Sequence, residues 1–425
     1  MDARAQGRYD CFMPSLRARP LTDAEWDEMS TFSANAFLGD PTPEPVNPGL
    51  LHRFLERDRY RGVADEQDRL IGAGGLLTRT ITLPGAGPSP LAGVTFVGVR
   101  PDSRGQGALS TLMRDLLEGL HGSGEPIAAL WASMAPIYGR FGYGLSARRA
   151  TLTVPGRAPF RPGTPTGGAV RWYSAEEALP LMRRVFEELL PTRPGWVSRS
   201  DANWDWWFRD DPASRYGSTS FRYAVHHAAS DGRPDGYAVF RAKADWPAAG
   251  PDYRLDVKEL ISADPEAHAS LWRSLLDLDM VGKVSYDNVP LDDPLPLVLV
   301  NPRAALTDVS DLLWVRLVDL DRALPARRYA APCDVVLEVA DRFCPWNAGR
   351  WRLRVDERGA AEASRTDRPA DLECGVADLG AAFLGGVRLT ALAGAGRVRE
   401  QRAGALRALC RAMAGETEPY CANIF

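Results

Sequence analysis

The chain has 425 residues, 45% of them apolar and 25% charged, which suits a soluble protein of two or three domains with ordinary cores. A net charge of −4 excludes the broad basic face that nonspecific nucleic-acid binding needs. No apolar run reaches the roughly 18 residues of a membrane span, and the polar start Met1–Asp10 has no signal-peptide core. The six cysteines form no C-x-x-C pair and the five histidines no ligand spacing, so the expectation is reduced thiols, no metal and a cytoplasmic protein. His226 and His227 are neighbours whose side chains would diverge on a strand.

Residues 1 to about 20 read as a polar, frayed end. Thr22-Asp-Ala-Glu25 has capping-box spacing and predicts a helix running on through Trp26, Met29, Phe32, Ala36 and Phe37. The proline-rich run Gly39–Pro48 predicts a loop, followed by a helix from Gly49 to Arg57. Arg59–Ala64 and Leu70–Leu83 read as paired strands across a polar turn.

Gly93–Val99 is an apolar strand. It leads through Arg100-Pro-Asp-Ser-Arg-Gly-Gln-Gly107 into a helix from Ala108 to about His121. A helix that opens from a glycine-containing loop presents free N–H groups and partial positive charge, a seat for phosphate. Gly105 and Gly107 let a phosphate approach the backbone and Arg104 adds a cation. No Walker Lys-Ser/Thr pair and no G-x-G-x-x-G follow. A strand from Ile127 to Ser133 and the cluster Pro136-Ile-Tyr-Gly-Arg-Phe-Gly-Tyr-Gly144 complete the unit. On residue types alone, a plain β-α-β unit with a glycine turn remains the alternative.

Arg104-Gly-Gln-Gly-Ala-Leu-Ser-Thr-Leu-Met113 resembles the acetyl-CoA pyrophosphate loop of GCN5-related N-acetyltransferases (GNAT), and Tyr138-Gly-Arg-Phe-Gly142 resembles their Tyr-x-x-x-Gly signature. Leu109 replaces the superfamily's usual Gly or Ala. The Gly-Arg-Phe-Gly-Tyr-Gly run, the chain length and the terminal Phe425 narrow the resemblance to the enhanced intracellular survival (Eis) acetyltransferases, where Leu at that place is ordinary. The resemblance implies an α/β (α+β) architecture. Two tandem GNAT domains of mixed twisted sheets with helices precede a C-terminal sterol-carrier-like α+β domain.

The boundaries read as 1–162, 163–305 and 306–425. The Pro/Gly-rich stretch 157–168 marks the first. The second region repeats the pattern: strand Ala169–Tyr173, helix 174–190, an aromatic helix at Asn203–Phe208, then strands 220–226, 236–243 and 253–261. Its last strand leads into Ser262-Ala-Asp-Pro-Glu266, with no glycine or basic residue and with acid at the helix start, which would repel phosphate. This reads as a degenerate GNAT domain without acetyl-CoA. Trp204, Trp206 and Trp207 read as packing, since no basic stripe accompanies them. In the third region Leu312–Leu317, Cys333–Val339 and Gly349–Val355 read as strands, with helical stretches near 378–384, 388–396 and 402–415. Cys344–Gly349, Leu384–Gly386 and Ala393–Val398 carry the sterol-carrier likeness.

Acetyl transfer from a thioester to an amine needs a proton taken from the amine, a polarised carbonyl and a proton for the leaving thiolate. The resemblance implies acetyl-CoA held by Val97, Val99, Arg104, Gly105, Gly107, Ala108 and Leu109, with Ser133 touching it or being a plain strand-end serine. It implies Tyr138 as general acid, with Tyr143 as rival, and the Phe425 carboxylate as base, since no side-chain base is evident and Trp131 stands where relatives often carry His. Phe96 would line the acceptor pocket or pack in the core. Ile424 replaces the family's Glu, which removes one acidic contact for a polyamine. The expected acceptor is a primary amine on a polycationic, aminoglycoside-like small molecule or a protein lysine, and the expected assembly is a hexamer. A noncatalytic CoA- or lipid-binding protein is the alternative of another class.

Overall fold

The computed structural model describes residues 16–39 and 48–425. The expectations for residues 1–15 and for most of the proline-rich loop fall outside the described residues. The chain divides into two compact units, one comprising the chain to Leu77 with Val94–Ser123, the other Thr78–Gly93 with Gly124–Phe425.

The first unit contains β1 (Arg17–Arg19), α1 (Asp23–Asp27), α2 (Met29–Phe37), α3 (Pro48–Phe54) and β2 (Tyr60–Ala64). It also takes parts of β3 (Leu70–Leu83) and β4 (Gly87–Val99), and all of α4 (Ala108–Ser123). Within the stretch expected to fray, Arg17–Arg19 is paired: β1 runs antiparallel to β2, with Ala18 opposite Val63. Arg19 clamps Glu25 at 2.7 Å. Thr22 and Glu25 form the expected capping box, but the helix breaks at Glu28 into α1 and α2. α3 ends at Phe54, short of the expected Arg57. β2 and β3 pair antiparallel as the sequence predicts. A Cβ on Gly98 would stand 2.7 Å from the Ala36 Cβ, so a glycine there lets α2 lie on the strand. α4 buries Ala108, Leu112, Met113, Leu116, Leu117 and Leu120, the three-to-four spacing of an amphipathic helix.

The second unit continues with β5 (Ile127–Leu130), α5 (Ala135–Tyr138), β6 (Gly144–Pro155), β7 (Ala169–Tyr173), α6 (Ala175–Leu189), α7 (Asp201–Trp207), β8 (Arg222–His227) and β9 (Pro234–Lys243). Next come β10 (Tyr253–Ser262), α8 (Pro265–Leu276), β11 (Val281–Val289), α9 (Leu295–Val298), β12 (Leu306–Leu317) and α10 (Leu320–Ala326). The chain ends through β13 (Cys333–Ala340), β14 (Gly349–Val355), β15 (Ala361–Arg365), β16 (Leu372–Gly375), α11 (Val376–Ala382), α12 (Leu389–Gly394), β17 (Val398–Glu400) and α13 (Ala405–Ala412).

Within this unit the larger sheet runs β5-β12-β6-β11-β10-β9-β8-β7, and a separate five-stranded sheet runs β15-β14-β13-β16-β17. Hence β12, read from sequence as the opening of the third region, is a strand of the larger sheet: Trp314 faces Leu130 and Val309 faces Ala150. β10 and β11 are parallel, joined by α8, the crossover such a pair requires. Leu152, Val154, Phe240, Leu271, Trp272 and Val284 share the core beneath them. β6, β11, β15, β16 and β17 escaped sequence reading. α11 packs on β6 and β12 so closely that a Cβ on Gly144 would lie 1.9 Å from the Ala377 carbonyl oxygen. No helix among the described residues is long and apolar enough to cross a membrane.

Candidate active site

The first unit carries the loop expected to take a pyrophosphate. Gly105 and Gly107 sit at φ +81° and +93°, a region where other L-residues are strained by roughly 1–2 kcal/mol. The backbone therefore turns sharply into α4, with Thr111 donating to the Gly107 carbonyl at 3.0 Å. Arg104, Gly105 and Gln106 are exposed, Leu109 is half-buried and Ala108 is buried. Upstream in β4, Phe96 is a non-glycine residue at φ +48°. The Tyr60 hydroxyl holds that turn by donating to the Phe96 carbonyl at 2.8 Å, and the Phe96 ring tilts against Phe54 at 6.0 Å. Val97 and Val99 remain half-exposed beyond it. The ladder of β4 with β5 comprises Ala92 opposite Ala128 and Gly93 opposite Ala129, and β4 continues for six residues past it.

In the second unit β5 ends at Leu130 rather than at Ser133, which is exposed. Tyr138 closes α5 and is 7% exposed. Burial raises its phenol above the ordinary value near 10. Tyr143 is buried further and raised more strongly by the same cause. The two rings meet edge to face at 6.0 Å. Between them the chain turns through Gly142 at φ +84°, where a Cβ would lie 1.9 Å from an Arg316 nitrogen. Arg316 is wholly buried, paired with Asp341 at 2.5 Å, and Asn347 donates to the same carboxylate at 3.1 Å. The tyrosine turn is thus braced by a buried ion pair and by the Cys344–Gly349 segment. Sequence reading missed this pair because 25 residues separate its members.

The C-terminal tail is held by the second sheet. Pairing of β10 with β11 stops at Val257 opposite Tyr286, and the tail binds where the strands part. The Tyr420 hydroxyl donates to the Asn288 carbonyl at 2.7 Å. Asn288 Nδ2 donates to the carbonyls of Cys421 and Ala422 at 3.2 and 3.3 Å, and those two carbonyls fix which way the amide faces. Arg199 reaches Ala422 from a buried site where it pairs with Glu259, flanked by Phe186 and Trp204 at 4.2 and 4.7 Å. Tyr237 and Trp207 donate to the same carboxylate at 2.6 and 3.1 Å. The tail ends with Ile424 exposed and Phe425 buried, at 44% and 6% exposure.

Trp131, Trp207, Lys258, Asn288 and Ile424 line a cavity of about 410 Å³, so the segment after β5 and the chain's last residues border one space. Trp207 therefore does more than pack. Lys258 is the extra residue of a bulge in β10, between Val257 opposite Phe240 and Glu259 opposite Val239. Such a bulge re-aims a side chain, and the ammonium lies 3.3 Å from the centre of the Trp207 ring. Burial lowers Lys258 to about 8. The neighbouring histidines diverge as expected: His226 meets Asp235 at 2.6 Å and His227 meets the Tyr173 hydroxyl at 2.9 Å. Among the described residues no group of three or more His, Cys, Asp or Glu is placed to hold a metal ion.

Residues 17–146 and 195–317 each match a family described as an acetyltransferase (GNAT) domain, and residues 320–422 match a sterol carrier protein domain. The chain is 41% identical over 379 residues to an uncharacterized N-acetyltransferase of Streptomyces avermitilis, covering 88% of this chain and 91% of the relative. It is 34% identical over 408 residues to the N-acetyltransferase Eis of Mycobacterium tuberculosis, covering 93% and 96%. The crystal structure of Eis1 from Mycobacterium abscessus superposes with a TM-score of 0.82 at 32% identity, covering 96% of this chain and 100% of that one. A GCN5-related N-acetyltransferase from Anabaena variabilis shares the fold at 18% identity, with a TM-score of 0.81. Two GNAT domains followed by a sterol-carrier domain, with relatives matched over 88% to 96% of the chain, make this chain a member of the Eis family of N-acetyltransferases.

Proposed function

We propose that this N-acetyltransferase moves the acetyl group of acetyl-CoA directly to a primary amine. Tyr138 acts as general acid and the carboxylate of Phe425, the last residue of the sequence, as general base. The observation that carries the reading is the buried Tyr138 phenol, held protonated at neutral pH and able to donate to a thiolate. The loop amides at Gly105, Gly107, Ala108 and Leu109 take the pyrophosphate, with Arg104 as cation. Val97 and Val99 offer backbone groups to the pantetheine arm, and Ser133 and Phe96 complete the cofactor and acceptor contacts. An α-carboxylate is a weak base in water, with a pKa near 3.5. The buried Phe425 ring and the hydrogen-bonded tail at Cys421 and Ala422 hold it in place. A cytoplasmic hexamer is the expected setting.

Two acceptor classes follow from the resemblance, an aminoglycoside-like polyamine and a protein lysine. Thiol release from acetyl-CoA against aminoglycosides, polyamines and lysine peptides separates them, with Tyr138→Phe run alongside. The reading predicts turnover with at least one amine and about a hundredfold lower kcat in Tyr138→Phe. Absence of thiol release with every amine would leave a noncatalytic CoA- or lipid-binding protein.

A further inference from the structure

The charge of the cavity beside the tail opposes a polycation. Its wall carries Arg149, Arg209, Arg241 and Lys258 against two carboxylates, Asp256 and Asp287. Asp256 is taken by Arg254 at 2.7 Å, and Asp287 has Arg149 at 4.0 Å. Arg241 is paired with Asp210 at 2.7 Å and lies over the Phe221 ring at 3.8 Å, while Arg209 has Asp211 at 3.8 Å. Lys258 alone of the four cations has no carboxylate within 4.0 Å among the described residues. The bulge of β10 holds its ammonium on Trp207, within a wall that also includes Trp131, whose ring has Arg149 at 5.4 Å. A buried ammonium with no carboxylate in direct contact, favoured only at longer range by Glu259 and Asp287, is an expensive group to keep, and an incoming anion would relieve that cost with a charge-assisted hydrogen bond.

We infer that the acceptor bound in this cavity is an aromatic or apolar primary amine that also carries a carboxylate, seated on Lys258 between Trp131 and Trp207. This deepens the proposed acetyl transfer and rests on it. Ile424 fits the same picture, because an acidic residue at the mouth would repel such an acceptor.

The test uses the full chain, acetyl-CoA and a matched pair, 4-(aminomethyl)benzoate and 4-(aminomethyl)benzamide, which share ring and amine and differ in the remote charge. Wild type is expected to prefer the acid by about tenfold in kcat/KM, the order that one charge-assisted hydrogen bond supplies. Lys258→Met should bring that preference to about one through KM, and Lys258→Arg should restore most of it. A wild type that uses the amide as well as the acid, or a Lys258→Met variant that keeps the preference, would overturn the inference. Turnover of polyamines but of neither benzyl compound would overturn it too. Calorimetric titration of the same pair separates this site from the chemistry. Acid-selective, Lys258-dependent binding without thiol release for any amine would leave the anion site standing and remove the transferase reading. No binding and no turnover of the acid would sink the anion site, whatever polyamines do.

Discussion

Tyr138, like any phenol with a pKa near 10, is protonated at neutral pH; burial raises it further, and its work in the proposal is to neutralise the thiolate as it leaves. Tyr138→Phe keeps the ring, its edge-to-face contact with Tyr143 and the turn through Gly142, so the expected result is a kcat defect with the KM for acetyl-CoA kept. Tyr143→Phe should change kcat little, since that hydroxyl is more deeply buried. Steady-state kinetics of the two variants decides between these tyrosines, and a larger loss at Tyr143 would reverse the assignment. Lys258 gives a pH prediction. Glu259 and Asp287 favour its charge, Arg209 and Arg199 oppose it, and burial outweighs them all, placing it at about 8. The charged form, which would bind the anion, dominates below that pH and is lost above it. The acid-to-amide ratio of kcat/KM, which reports the free enzyme, should therefore be level below pH 7 and fall through about pH 8. A ratio that holds to pH 9 would place the acid elsewhere.

At the level of elements, one glycine and two ion pairs separate function from stability. Gly107 needs its left-handed turn, so Gly107→Ala should raise the KM for acetyl-CoA several-fold while α4 remains folded, as circular dichroism would show. Arg199 and Glu259 are both fully buried. Removing the carboxylate strands a charge beneath the tail, and Glu259→Ala should cost about 3–5 kcal/mol, read as a lowered Tm. The Arg352–Asp334 pair is exposed at 38% and 42%, and Asp334→Ala should cost less than about 1 kcal/mol. Equal losses in the two variants would contradict this ranking. β10 and β11 lie in the region that matches the second GNAT domain. Its helix opens on Asp264 and Glu266, acidic side chains that disfavour an anion there, and the strands that part beside it hold the tail.

Across the whole molecule, local signals were legible and long-range ones were not. The capping box at Thr22 and the glycine turn into α4 are written in residues a few positions apart, and both stand as the sequence predicts. The path of β12 was not legible, because its partners β5 and β6 lie more than 150 residues upstream and an apolar strand carries no mark of its neighbour. Lys258 was hidden for a related reason: only the pairing with β9 shows it to be the bulged residue. The aromatic run at 204–207 was read as packing, which holds for buried Trp204, whereas Trp207 faces the cavity. The Arg316–Asp341 and Arg199–Glu259 pairs join segments of separate elements and no spacing rule reaches them. The sterol-carrier segment Cys344–Gly349 was recognisable as a motif, but its support of the tyrosine turn required the fold.

The central claim of the proposal is that the Phe425 carboxylate serves as base and Tyr138 as acid. The most direct measurement is acetyl-CoA thiol release by a semisynthetic protein whose Phe425 ends in a carboxamide, compared with the same ligated chain ending in the carboxylate. The account predicts a loss of kcat of about a hundredfold with the KM for acetyl-CoA and the Tm unchanged. Full turnover by the amidated chain would contradict it.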